Sequence, residues 1–223
     1  MDRRQFAVAA ATLALAGGGA ALAAKPPATW DDLVRVESKR LNYVYVLPGA
    51  DFRAYTKVML DPTQIAFRKD WRKDYNSTTR GLSSRVSDAD VEKAVAQGGQ
   101  AATAIFARAF AAGGYPVVNL PGPDVLRVRT AVINLSVSAP DMRTAGRSRT
   151  YSNEAGSATL VVEVMDSVSG AILGRAVDSR LAGDHSYMMN RNSATNRSDF
   201  RFVAEDWAKD SVKGLNELKR LSP

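Results

Sequence analysis

The chain has 223 residues, a formal net charge of +7, one histidine and no cysteine. Lacking thiols, it forms no disulfide, thiolate nucleophile, iron–sulfur cluster or thiolate zinc site, and a lipid anchor on cysteine is not expected. Its basic balance rests on 21 Arg against 9 Lys, a surplus suited to planar contact with carboxylates and phosphates.

The first residues set the compartment. Arg3-Arg4 precedes the 11-residue apolar run Phe6 to Ala16, and Ala21-Leu22-Ala23 follows with small residues at alternate positions. This order predicts an export signal over residues 1–23, removed after transport. Arg3-Arg4-Gln5-Phe6 has the look of a twin-arginine signal, and the general secretion route also fits. The apolar run is too short for a spanning helix, which needs about 20 residues, so no transmembrane segment is expected in the mature chain. The expected location is periplasmic or secreted. There the polyanions on offer are lipid phosphates and wall polymers, and nucleic acid is not an expected partner.

Residues 24–40 read as an N-terminal lead, opening on the helix-hostile Lys25-Pro26-Pro27, and residues 41–223 as one domain large enough to bury its own core. Apolar residues from Leu41 to Leu47 predict a buried strand, closed by the turn residues Pro48-Gly49-Ala50-Asp51. Ala54 to Leu60 predicts a second strand, with a short extended piece at Ile65 and Phe67. Residues 68–86 mix cations with Trp71 and Tyr75 and end in turn-prone polar residues, which predicts a long surface connection.

Ser87 and Asp90 are spaced as a capping box, and Val91 to Phe110 repeats apolar residues at helical steps, ending at Gly113-Gly114. Tyr115 to Leu120 is a short apolar run. From Val125 to Val137 the alternation slips phase, which predicts a bulge between Ala131 and Asn134. Ala158 to Val164 and Ile172 to Leu181 predict an antiparallel hairpin turning at Asp166 to Gly170. Phe200, Val203, Trp207, Leu215 and Leu218 set a final helix over about 199–220. Consecutive strands with two one-faced helices predict an α+β two-layer sandwich, a mainly antiparallel sheet covered on one face by two helices.

Tyr43-Val44-Tyr45-Val46-Leu47-Pro48-Gly49-Ala50-Asp51-Phe52, the following Tyr55 to Pro62, and Ala66-Phe67-Arg68-Lys69-Asp70-Trp71 resemble the domain of unknown function 3313 family. The resemblance covers nearly all of the mature chain. It implies a secreted or lipid-anchored envelope protein and attaches no activity to it.

Chemistry is sparsely signalled. His185 lies in Asp184-His185-Ser186, but adjacent residues of an extended segment cannot converge as a triad, and no nucleophile elbow supports one. With one histidine and no cysteine, neither a metal site nor a cofactor is expected. Glu154 and Glu163 are the acids placed for a glycosidase-like pair, with nothing to set their separation. The remaining constellation is Arg143, Arg147, Arg149 and Tyr151 before the hairpin and His185, Arg191 and Arg197 after it, which predicts one cationic rim at the end opposite the Asp166 turn. The leading reading is a non-enzymatic binding module for an envelope protein or an anionic lipid or polymer. A hydrolase of wall or lipid material and a self-associating structural domain are the alternatives.

Overall fold

The structure, a computed structural model, describes residues 27–78, 85–138, 150–152, 154–183, 189–191 and 193–222. Ten strands and three α-helices form among them. In chain order these are β1 (Thr29–Trp30), β2 (Leu33–Val36), β3 (Tyr43–Val46), β4 (Lys57–Leu60), β5 (Gln64–Phe67), α1 (Trp71–Thr78), α2 (Asp88–Ala112), β6 (Val125–Val137), β7 (Thr150–Ser152), β8 (Gly156–Asp166), β9 (Ile172–Ala182), β10 (Met189–Arg191) and α3 (Ser193–Leu221). Eight strands make one open sheet in the order β1-β2-β3-β9-β8-β6-β4, with β5 continuing beside β6 where β4 stops. Every pairing in this sheet is antiparallel except those of β4 and β5 with β6, which are parallel. The parallel pairs follow from chain path, because the segment holding α1 and α2 carries the chain back to the start of the sheet before β6 begins. The protein is the expected α+β sandwich.

The long helices cover one face. Ile105, Phe106 and Phe110 of α2 and Val203, Trp207, Val212 and Leu215 of α3 share one core with Val58, Leu126, Val128, Leu160 and Val162 of the sheet. The α2 start is the expected capping box: Ser87 Oγ accepts from the Asp90 amide at 3.2 Å, and the Asp90 carboxylate accepts from the Ser87 amide at 2.9 Å. Gly99 lets this helix approach closely, since a Cβ there would lie 2.8 Å from the Thr63 carbonyl oxygen.

The phase slip in β6 is a real irregularity. Asn134 has φ 52°, and the register with β8 shifts between Ile133 and Ser136. Before it Leu126, Val128, Thr130 and Val132 are buried at alternate positions; after it Leu135 takes the core side. The hairpin of β8 and β9 also forms as expected, with Gly170 at φ 73° in its turn.

Several local expectations are corrected. The segment 68–86 contains α1, because Trp71 is buried: its indole Nε1 donates to the Val137 carbonyl at 3.2 Å and its ring stacks on Phe67 at 4.4 Å. One buried ring on a polar eight-residue helix leaves no periodic trace in sequence. The strand expected from Ala54 is β4 alone, preceded by a 3-10 turn over Phe52–Ala54 that inserts Phe52 into the core. The run after Tyr115 makes a single bridge, Val58 to Val117, since Pro116 has no amide proton to give a ladder. Residues 29–36 of the N-terminal lead add β1 and β2 to the sheet.

Among the described residues the other face carries no helix but a row made mostly of charged side chains. Arg35, Tyr45, Arg175, Glu163 and Arg129 follow one another across five adjacent strands. Arg175 donates to Glu163 at 2.7 Å and pairs with Asp31, while Trp30 packs under its guanidinium.

Candidate binding groove

The sheet is wider than the helix layer. Beyond α3, Val34 and Val36 of β2 oppose Val46 and Val44 of β3, which in turn oppose Gly174 and Ala176 of β9. Period-two alternation therefore gathers these residues on the helix-side face, and among the described residues no helix covers the outer pair. Val34 and Val36 remain 44% and 37% exposed. Between this overhang and α3 lies a groove of about 440 Å³, within the roughly 300–1,000 Å³ range of small-molecule sites. Phe52 and Phe110 close its inner end, and Gly214, Leu215, Leu218 and Leu221 line the helical wall.

The mouth is ionic. Arg40 Nε donates to Glu217 at 2.9 Å and its Nη1 stands 3.9 Å from Asp210. Arg180 joins Asp210 to the buried Asp178, at 2.7 Å from each. Burial opposes the Arg180 charge, yet the hydrogen bonds it donates to Asp210 and Asp178 outweigh it and hold its pKa above the ordinary arginine value. Asp178 also accepts from the Asn42 amide at 2.9 Å, which ties the β2–β3 connection to the core beside the groove. The arrangement offers an apolar channel with a fixed, hydrogen-bonded rim.

A second hollow, about 800 Å³ and shallower, runs between β5 and α2, lined by residues such as Ile65, Val95 and Ala104. It has no charged side chain on its walls. Among the described residues no group of three or more His, Asp or Glu side chains is placed to hold a metal ion, and no helix is long and apolar enough to cross a membrane.

Of the residues singled out in the sequence, Arg143, Arg147, Arg149 and His185 lie outside the described residues. Tyr151 is on β7 and Arg191 on β10, and these strands pair as a two-stranded ribbon with Tyr151 opposite Asn190 and Arg191 opposite Thr150. The backbone thus brings the segments before and after the hairpin side by side. Arg197 is not in a loop: α3 begins at Ser193, and Arg197 is exposed in its early turns. Glu163 is engaged by Arg175 and Arg129 on the far face of the sheet from the groove. Sequence reasoning missed the groove itself. Its traces were Val34 and Val36 alternating with Arg35, and Gly214 placed inside a helical stripe.

The chain matches the family model described as protein of unknown function (DUF3313) over residues 28–211, and it belongs to that family. No curated protein matches it. Among solved structures it is similar to the PelC dodecamer from Paraburkholderia phytofirmans, at 15% identity and TM-score 0.36, covering 77% of this chain and 94% of that one. It is also similar to a Xanthomonas campestris protein of family model DUF330, at 11% identity and TM-score 0.38, covering 71% and 82%. A DUF4136 family protein from Bacteroides thetaiotaomicron matches at 14% identity and TM-score 0.36, covering 83% and 98%.

Proposed function

We propose that this DUF3313 member is an exported envelope protein that works by binding, not catalysis, and that its groove beside α3 takes an apolar ligand. The export half of the reading rests on the Arg3-Arg4 signal pattern. The binding half is supported by one observation: an aliphatic channel of about 440 Å³ stays open between the β2–β3 overhang and α3, with valines exposed along it. A folded protein gains by covering such surface, so leaving it open favours an occupant. The test is to isolate the protein from the periplasmic fraction, extract it with organic solvent and identify what is released by mass spectrometry. An apolar small molecule in near-stoichiometric amount, lost from a Val36→Trp variant, supports the reading; nothing released from either protein overturns it.

A second reading keeps the basic rim, favoured by the ribbon that pairs the Tyr151 and Arg191 strands. On this reading the ribbon region meets a partner protein or an anionic envelope component. Cross-linking in the intact periplasm should then capture a partner, and reversing the charge of Arg147, Arg149 and Arg191 should abolish capture. Unchanged capture removes the rim as the site.

A further inference from the structure

The three most exposed large hydrophobic side chains among the described residues stand at one end of the molecule. Leu221 is 81% exposed, Leu120 76% and Val168 67%. A single exposed aliphatic residue is ordinary. These three belong to separate connections: the end of α3, the loop 113–124 between α2 and β6, and the β8–β9 turn. One set of hydrogen bonds nevertheless joins their immediate neighbours. The Gly122 amide, two residues past Leu120, donates to Ser167 Oγ, which donates in turn to the Gly122 carbonyl, at 3.0 Å each. Ser167 lies between Val168 and Asp166, and Asp166 accepts from the Tyr55 hydroxyl at 3.0 Å. Tyr55 closes the 3-10 turn whose Phe52 amide donates to Ser222 Oγ at 3.0 Å, next to Leu221.

Local chemistry holds each tip away from the core. Pro121 and Pro123 lack amide protons, so no ladder extends beside Leu120. Asp166 Oδ1 accepts from the Val168 and Ser169 amides at 3.1 and 2.6 Å, which fixes Val168 in the turn. Leu221 is the last residue of α3 and also ends the helical wall of the groove. Turns and a helix end give a partner chain no strand edge to extend, and neither hollow includes Leu120 or Val168. A fluid hydrocarbon layer asks for no such match of shape. Lys219 and Arg220 directly precede Leu221, with Lys219 Nζ 4.6 Å from the centre of the Tyr115 ring. Neither cation pairs with a carboxylate among the described residues. Unpaired cations beside exposed aliphatic tips suit a layer whose phosphates lie just outside its hydrocarbon.

We propose that this end of the molecule docks on an anionic lipid bilayer, with Leu120, Val168 and Leu221 entering the hydrocarbon and Lys219 and Arg220 meeting headgroup phosphates. The attachment is reversible. The three side chains together carry about 11 carbons, close to one myristoyl chain, which by itself holds a protein only marginally.

The chain has no cysteine, so a single one can be placed at each tip and labelled with an environment-sensitive fluorophore. Leu120→Cys, Val168→Cys and Leu221→Cys, each in the full chain, are mixed with vesicles of phosphatidylcholine, alone or with phosphatidylglycerol. Leu181→Cys is the control, being 47% exposed at the end of β9 away from the turn. On the mixed vesicles all three tip labels should shift to the blue and the Leu181 label should not. In sedimentation of unlabelled protein, the triple variant Leu120→Ser, Val168→Ser, Leu221→Ser should partition more than about a hundredfold less well, since each buried methylene is worth roughly fourfold. Its Tm should match the parent, because the tips are exposed. Lys219→Gln with Arg220→Gln should weaken partition onto the mixed vesicles by about fivefold per charge and leave partition onto phosphatidylcholine unaltered. Every variant keeps the N-terminal apolar run, so attachment through that run would respond to none of these changes. Silent tip labels, an equal response at Leu181, or partition indifferent to the triple variant overturns the proposal. Equal partition of the parent onto the two kinds of vesicle overturns it as well. A concentration-dependent mass in light scattering, abolished by the triple variant and accompanied by no lipid binding, overturns it in favour of a second copy of the chain.

Discussion

Asp178 and Trp207 meet inside the two-layer core, the indole Nε1 of α3 donating to the carboxylate Oδ2 of β9 at 2.8 Å with both residues buried. The carboxylate is fully used, since it also accepts from Arg180 Nε at 2.7 Å and from the Asn42 amide at 2.9 Å. One charged side chain thereby joins the sheet, α3 and the β2–β3 connection that frames the groove.

Removing that carboxylate strands its partners. Asp178→Ala leaves Arg180 and the Trp207 N–H without it and should lower stability by about 3–5 kcal/mol, the cost of breaking a buried ionic network from one side. Trp207→Phe keeps most of the ring and loses one bond to a charged acceptor, a loss of about 1.5–3 kcal/mol. The two losses should fall short of additivity in the double variant. Urea unfolding monitored by circular dichroism measures all three; a cost below about 1 kcal/mol for Asp178→Ala would show that the network is dispensable.

Two glycines hold the helix layer and the sheet at their observed separation and path. Gly156 has φ 148°, and a Cβ there would lie 1.9 Å from the Ser136 carbonyl oxygen. Gly156→Ala has no route to relief short of moving the β6–β8 pairing, and should prevent recovery of soluble folded protein. Gly99→Ala meets the Thr63 carbonyl at 2.8 Å, a milder clash with a cost of about 1–3 kcal/mol. Thermal unfolding of Gly99→Ala against the parent is the check, and an unchanged or raised Tm would contradict the close approach.

The hairpin turn makes stability depend on pH at both extremes. Asp166 caps the turn: backbone and side-chain hydrogen bonds from Ser169 lead in holding its pKa below the ordinary carboxylate value, with Tyr55 adding another. A depressed pKa contributes stability that is present above the unfolded value and lost as pH falls through the folded one. Tyr55 has the opposite sense. Burial first, then its hydrogen bond to Asp166 at 3.0 Å, pushes its pKa from about 10 up to about 12. Its contribution is complete below about pH 10 and is lost as pH rises through about 12. Unfolding measured from pH 9 to 12 should show a steeper decline for the parent than for Tyr55→Phe. Parallel curves would rule out a perturbed Tyr55.

Export is testable without any ligand. The mature protein should begin near Ala24, as read by N-terminal sequencing of the periplasmic form. Arg3→Lys with Arg4→Lys should hold the full chain in the cytoplasm on the twin-arginine route and have little effect on the general secretion route. Full-length protein in the cytosol of the parent strain would remove the envelope from the functional reading.

Short-range regularities were legible in the sequence because each is encoded by neighbours. The capping box of Ser87 and Asp90 needs three residues, the hairpin at Asp166 needs a turn with Gly170, and the bulge near Asn134 is visible as a change of phase. The family was legible from Tyr43 to Phe52 and Tyr55 to Trp71 for the same reason. The helix around Trp71 was not, because its one buried residue is Trp71, which stacks on Phe67 and donates to the Val137 carbonyl at the far end of β6. Nor was the groove. Alternation in β2 and β3 announces two faces without saying what covers either. Only the strand order β1-β2-β3-β9 sets Val34 to Val46 beside Gly174 and Ala176, out past the reach of α3. Sequence alone determined which residues seek burial and where the chain turns, since those follow from side-chain chemistry and local spacing; tertiary structure decided which apolar face would be left open, since that depends on the widths of two layers that meet only when folded.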